Sequence, residues 1–218
     1  MRSIALLLVL ALTSDAFAQA KIGAAAAVAG RVQAASTGAV GRIVSSGQPL
    51  FLNDKVTTDA SGRLQIMLLD ETIFTIGPNS DLTLDEFVYD PNTSAGKVTA
   101  RVTKGVFRFV TGKIARKQPA SMKVNMPVGT IGIRGTMAAG TVGPDGSTVI
   151  LLGPGADNNA GEGPGAVSVS NQNGSQDLSQ PGYGTTISGS APPTPPTDMS
   201  GEAAKIAAQL EPEPSKGE

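Results

Sequence analysis

The chain contains no cysteine, no histidine and no tryptophan. Without cysteine there is no disulfide framework, no thiolate nucleophile and no acceptor for an N-terminal lipid. Without histidine there is no Ser-His-Asp triad and no imidazole-based zinc site. Only 2 tyrosines and 6 phenylalanines supply aromatic surface, which argues against a glycosidase cleft paved with aromatic platforms. The net charge of −1 implies no whole-molecule attraction to nucleic acid. A carboxylate-based hydrolase is the one enzymatic reading that survives, and only as a remote one. The expectation is a non-catalytic protein with no cofactor and no metal.

Long apolar runs are missing too, with one short exception. Met1-Arg2-Ser3 leads into an apolar run from Ile4 to Leu12, then Thr13-Ser14-Asp15-Ala16-Phe17-Ala18. A basic start, a hydrophobic stretch and an Ala-x-Ala site are the order of a secretory signal peptide. Ala16 and Ala18 are the small residues that a signal peptidase accepts, which predicts cleavage after Ala18. A membrane-spanning helix needs ~20 apolar residues, and neither this run nor any later one has that length. The expected protein is therefore periplasmic or extracellular, with no stable membrane span after cleavage.

What is abundant is glycine, 27 residues, and proline, 15. Short alternating stretches lie between these breakers. Leu64, Ile66 and Leu68 alternate with Arg63, Gln65 and Met67; Val98, Ala100 and Val102 alternate with Thr99, Arg101 and Thr103. Period-2 alternation buries one face of a strand and wets the other. Turn signals such as Asn53-Asp54, Asp70-Glu71 and Gly77-Pro78-Asn79-Ser80 recur between the strands. The pattern predicts an all-β fold of stacked antiparallel hairpins, a β-solenoid, β-roll or sandwich-like arrangement. Residues 19–29 are Ala-rich and read as a loose lead-in, 30–189 as the β domain, and 190–218 as a disordered Pro-rich acidic tail. Within that tail, Ala203, Ile206, Ala207 and Leu210 have the spacing of a short amphipathic helix.

Charge is unevenly distributed. Residues 91–144 hold no acid but carry Lys97, Arg101, Lys104, Arg108, Lys113, Arg116, Lys117, Lys123 and Arg134. The stretch before them holds Asp54, Asp59, Asp70, Glu71, Asp81, Asp85, Glu86 and Asp90. Cross-strand pairing between neighbouring hairpins is one reading, with Arg101, Lys104 and Arg108 facing Asp81, Asp85 and Glu86. A basic contact face is the other. Lys113, Arg116 and Lys117 fall in an expected loop with no acid nearby in sequence, so they are the best candidates for anion or partner contacts. Gly153–Glu162 has the Gly, Asp and Asn of a calcium loop, but its spacing fits neither an EF-hand nor a nonapeptide repeat. It reads as solvated loop. Asp70-Glu71 reads as a solvated hairpin tip.

Several motifs lie in order along the chain: Asn53-Asp54-Lys55-Val56-Thr57-Thr58, Phe74 to Ser80, Lys104-Gly105-Val106-Phe107-Arg108-Phe109, and Pro127-Val128-Gly129-Thr130-Ile131-Gly132-Ile133-Arg134-Gly135-Thr136. Together they resemble the FecR domain. The motif positions are Asp54, Gly105, Gly129, Thr130, Gly132, Arg134, Gly135 and Thr136. Met126-Pro127 departs from the family's more frequent Thr-Pro. The resemblance implies an exported all-β domain. The family's namesake relays an outer-membrane signal across the inner membrane; the chain is expected to lack the helix and the cytoplasmic domain for that. Within the last motif, Ile131 and Ile133 are expected to face the core, and Gly132 and Gly135 to permit close backbone approach or a bulge. Arg134 is either an anion contact or the partner of a neighbouring Asp. The expected function is a module that binds a protein partner or an envelope polysaccharide or lipid, with no nucleic acid involved. The alternative is a structural scaffold of the envelope, tethered through its tail.

Overall fold

Alternation becomes burial strand by strand. In the computed structural model, which describes residues 19–154 and 165–211, Leu64, Ile66 and Leu68 are buried while Met67 between them is exposed. The strands are β1 (Lys21–Ala29), β2 (Val32–Ala35), β3 (Arg42–Ile43), β4 (Pro49–Phe51), β5 (Lys55–Thr58), β6 (Arg63–Leu68), β7 (Ile73–Ile76), β8 (Asp81–Tyr89) and β9 (Gly96–Val110). After α1 (Lys113–Lys117) come β10 (Met122–Met126), β11 (Gly129–Arg134), β12 (Met137–Val142), β13 (Gly146–Gly153), β14 (Ala166–Asn171), β15 (Gly174–Leu178), β16 (Tyr183–Ser188) and β17 (Thr197–Asp198). Helix α2 (Ser200–Leu210) follows.

The strands form one mixed, mostly antiparallel sheet that is not closed. It consists of two ladders that share β9. One runs β4–β1–β6–β7–β9–β12–β13–β16–β17, antiparallel throughout. The other runs β3–β2–β5–β8–β9–β10–β11–β14–β15, with β9–β10 its parallel pair. The inner faces of both ladders contribute to one buried cluster, which includes Ile66, Phe74 and Phe109 from the first and Leu84, Val124 and Ile131 from the second. Phe109 lies 6.2 Å from Phe74 and 6.3 Å from Phe107, ring centre to ring centre, offset geometries that aromatic pairs favour.

β9 changes ladder at Gly105. Lys104 is in register with Asp81 of the second ladder, and Gly105 with Val142 of the first. Gly105 has φ +99°, and a Cβ there would sit 2.1 Å from Ser80 Oγ. That hydroxyl accepts from the Val106 N–H at 2.9 Å, so the corner is closed by a buried hydrogen bond that only glycine leaves room for.

Three expectations are corrected. Residues 21–29 are not a loose lead-in: β1 lies between β4 and β6. An alanine run shows no polar–apolar alternation, so its strand state comes from its two neighbours rather than from its own pattern. Gly23 suits that place, since a Cβ would meet Met67 O at 2.3 Å. Residues 190–211 are not a disordered tail. Thr194 N–H donates to Thr186 O at 2.9 Å, Thr185 Oγ1 donates to Thr194 O at 2.6 Å, and β17 pairs with β16. Proline lacks an N–H, but its neighbours' donors and acceptors suffice for an edge position. The expected amphipathic helix is present as α2, with Ile206 and Leu210 buried against Val106, Ala139 and Ile150. Third, Lys113–Lys117 is a short helix rather than a loop. Residues 1–18 with Ala16 and Ala18, most of the Gly153–Glu162 loop and the last seven residues lie outside the described residues.

Candidate functional site

The FecR-like motif residues divide into interior supports and one surface corner. Asp54 is an interior support, 2% exposed. Arg42 reaches it from β3 at 2.7 Å, Ser36 donates at 2.7 Å, and the Phe51 N–H at 3.0 Å. Arg42 also lies over the Phe51 ring, 5.5 Å from its centre. Burial pushes the Asp54 carboxyl up, but these donors outweigh it and the pKa is lowered from 3.8. The sequence singled out Asp54 but not Arg42 or Ser36, whose partnership depends on a chain reversal without local spacing.

Asp70 is a second interior support, against the expected solvated tip: it is 0% exposed. Its carboxylate accepts from Thr72 Oγ1 at 2.8 Å and from the Ile114 N–H at 3.4 Å, and its carbonyl accepts from the Lys113 N–H at 2.7 Å. The Asp-x-Thr spacing is the local signal for this turn. Glu71 remains exposed beside it, so the two carboxylates do not form an acid/base pair.

The Pro127–Thr136 motif makes β11. Ile131 and Ile133 face the core as expected. Gly132 is not a site of close backbone approach: a Cβ there would have nothing nearer than Ser168 O at 3.9 Å. Gly135 does need its residue type, with φ +50°, and Gly129 faces Ile187 and Ser170 closely enough to exclude a side chain. Thr130 Oγ1 donates to Asn125 at 3.1 Å, and Thr136 Oγ1 to Pro154 O at 2.8 Å. Arg134 is exposed and makes no ion pair among the described residues; the dent it lines with Gly132 and Ser168 is about 90 Å³. The larger feature lies at the other end of β11. Pro127–Thr130, the β14–β15 turn at Ser170–Gln172 and Gly189–Ser190 surround an open cleft of about 670 Å³. Three turns meet there because Asn173 and Asn171 side-chain amides donate to the Ser190 and Ala191 carbonyls.

The basic stretch is internally matched at three of its positions. Arg101 pairs with Asp85 at 2.8 Å, Lys97 with Glu86 at 3.0 Å, and Lys113 with Glu71 at 2.6 Å. Lys113 thus has an acidic partner that sequence spacing concealed. Asp81 pairs with Lys55 at 3.4 Å rather than with Lys104 opposite. Arg108 lies on the first ladder, away from those acids, in register with Thr75. Arg116 and Lys117 are exposed on α1. No group of three or more Asp or Glu side chains placed to hold a metal occurs among the described residues, and none of their helices is long and apolar enough to cross a membrane.

Comparison with known proteins gives a consistent fold. Two crystal structures, each described as a "putative anti-sigma factor" from Parabacteroides distasonis ATCC 8503, superpose with TM-scores of 0.54 and 0.52 at 11% identity. They cover 71% and 69% of this chain, which spans 64% and 62% of theirs. At that identity the likeness is one of fold. No curated protein matches the chain. The sequence model of the family described as FecR protein matches residues 54–153. That span starts at the buried Asp54 and ends with β13, and β1–β4 on one side and β14–α2 on the other complete both ladders around it. Residues 54–153 are a FecR domain.

Proposed function

We propose that the chain is an exported, non-catalytic FecR-type module that binds a protein partner outside the cytoplasm, as the external part of a signalling or envelope-assembly system. The observation that carries this reading is the cleft at the β10–β11 turn, where the family motif Pro127–Thr130 meets two other turns of the FecR-containing fold. Loops held together on a rigid sheet are where binding functions concentrate. The leader with Ala16 and Ala18 supports export, and the protein recovered from the periplasm is expected to begin at Gln19 by intact mass. The partner is tested by retaining envelope proteins on the immobilised chain. Retention should saturate, persist at high salt and fall at least tenfold with the double variant Gln172→Arg, Ser190→Arg, two exposed positions of the cleft. Absence of saturable retention overturns the reading.

A scaffold role is the second reading, favoured by the internal matching of Lys97, Arg101 and Lys113 with acids. Its distinguishing outcome is retention that neither saturates nor responds to the cleft variant. The docking of residues 192–211 on the first ladder weighs against a tether made of that segment.

A further inference from the structure

The outer face of the first ladder carries a row of neighbours in register: Ala27 on β1, Gln65 on β6, Thr75 on β7, Arg108 on β9, Ala139 on β12 and Ile150 on β13. α2 covers the Ala139 and Ile150 end. The other end is left as a cavity of about 260 Å³ between β1, β6 and the C-terminal turn of α2. Its walls are apolar at Ala27, Ala29 and Leu210 and polar at Arg63, Gln65, Thr75 and Arg108.

Two buried polar atoms lack a partner on this one patch: Thr75 Oγ1 and Arg108 Nε. Thr75 is 6% exposed. A buried polar group without a partner is rare in a folded protein and calls for an explanation. The two residues face each other across the β7–β9 ladder, so one bound group can meet both. Arg63 is held at the rim, its Nε donating to Gln209 O at 2.9 Å, and adds a second fixed positive charge. Glu211, at the mouth, is exposed and pairs with neither arginine.

Guanidinium offers donors only, in a planar fork that matches a carboxylate. A hydroxyl beside it adds one more donor. The apolar walls suit an alkyl chain, and the volume lies below that of pockets for drug-sized ligands. We infer that this cavity binds a small organic acid, with its carboxylate on Arg108 and Thr75 and a short alkyl chain against Ala27, Ala29 and Leu210. The site is on the opposite end of the sheet from the turn cleft and does not depend on it.

Hexanoate is the probe, with 1-hexanol and hexylammonium as controls, titrated into the full-length chain by calorimetry. Hexanoate should bind with one-to-one stoichiometry, at least tenfold more tightly than either control. Arg108→Lys keeps the charge but loses the Nε–H fork, and should weaken hexanoate at least tenfold; Thr75→Val should weaken it severalfold. The unmodified protein provides a readout that does not depend on variant folding: the Arg108 Nε–H resonance should shift on adding hexanoate. Hexanoate binding no tighter than hexanol, or an Arg108 resonance that stays in place, overturns the inference.

Discussion

Asp54 shows how a motif residue can matter without touching a ligand. Its carboxylate holds β3, the β4–β5 turn and the Ser36 loop to one point. Asp54→Asn removes the charge from these bonds and leaves Arg42 short of its partner. Hydrogen bonds to charged groups contribute ~1.5–3 kcal/mol each in net terms, and Arg42 is part-exposed, so a loss of about 2 kcal/mol is expected in urea unfolding. The pH dependence has a definite sign. Because the folded pKa is below the unfolded value of 3.8, the contribution is fully present above that value and is lost as pH falls through the folded pKa. Unfolding curves taken down through that window should steepen their decline in the native protein and lose that part in Asp54→Asn. The Asn53-Asp54 turn was legible in sequence; the Arg42 contact was not, because nothing in a linear pattern says which cation a turn carboxylate will meet.

At the scale of elements, legibility followed the contrast between neighbouring side chains. β6, β8, the first half of β9 and β11 alternate strongly and are strands. β1 has almost no contrast, and α1 is a five-residue helix, too short for a helical period to register. Residues 192–198 hold four prolines before β17 and read as linker, yet dock through Thr185, Thr186 and Thr194. The glycines of the motifs divide the same way. Gly105→Ala meets both an unfavourable φ and Ser80 Oγ at 2.1 Å, and should cost about 2–4 kcal/mol or prevent folding. Gly132→Ala meets open space and an ordinary φ, so its effect on the thermal midpoint should be within experimental scatter or slightly stabilising. A neutral Gly105→Ala would show that β9 does not turn between ladders there.

Across the whole molecule, the two blocks of opposite charge meet in part, on the surface of the second ladder and at α1. Lys55–Asp81, Lys97–Glu86, Arg101–Asp85 and Lys113–Glu71 are exposed or part-exposed pairs. Such pairs add little to stability and are screened by salt. Raising salt from low to high should therefore leave the urea midpoint of unfolding nearly unchanged; a large drop would mean that these pairs, and not the shared core, hold the ladders. Fold class was readable at this scale because alternation and turns repeat along the chain. The candidate sites were not, because both clefts are assembled from segments distant in sequence.

The sharing of β9 has a consequence for how the chain is built. Every strand before it pairs on one side of β9 in both ladders, through β7 and β8; every strand after it builds outward from the other side, through β10 and β12. A chain emerging N-terminus first completes one flank of the molecule while the opposite edge of β9, Gly96 to Val110, is still without neighbours. Until β10 and β12 arrive, that edge is a template open to any strand, including one from another copy. The interval between synthesis of β9 and synthesis of β12 is the period in which this protein is most exposed to mispairing.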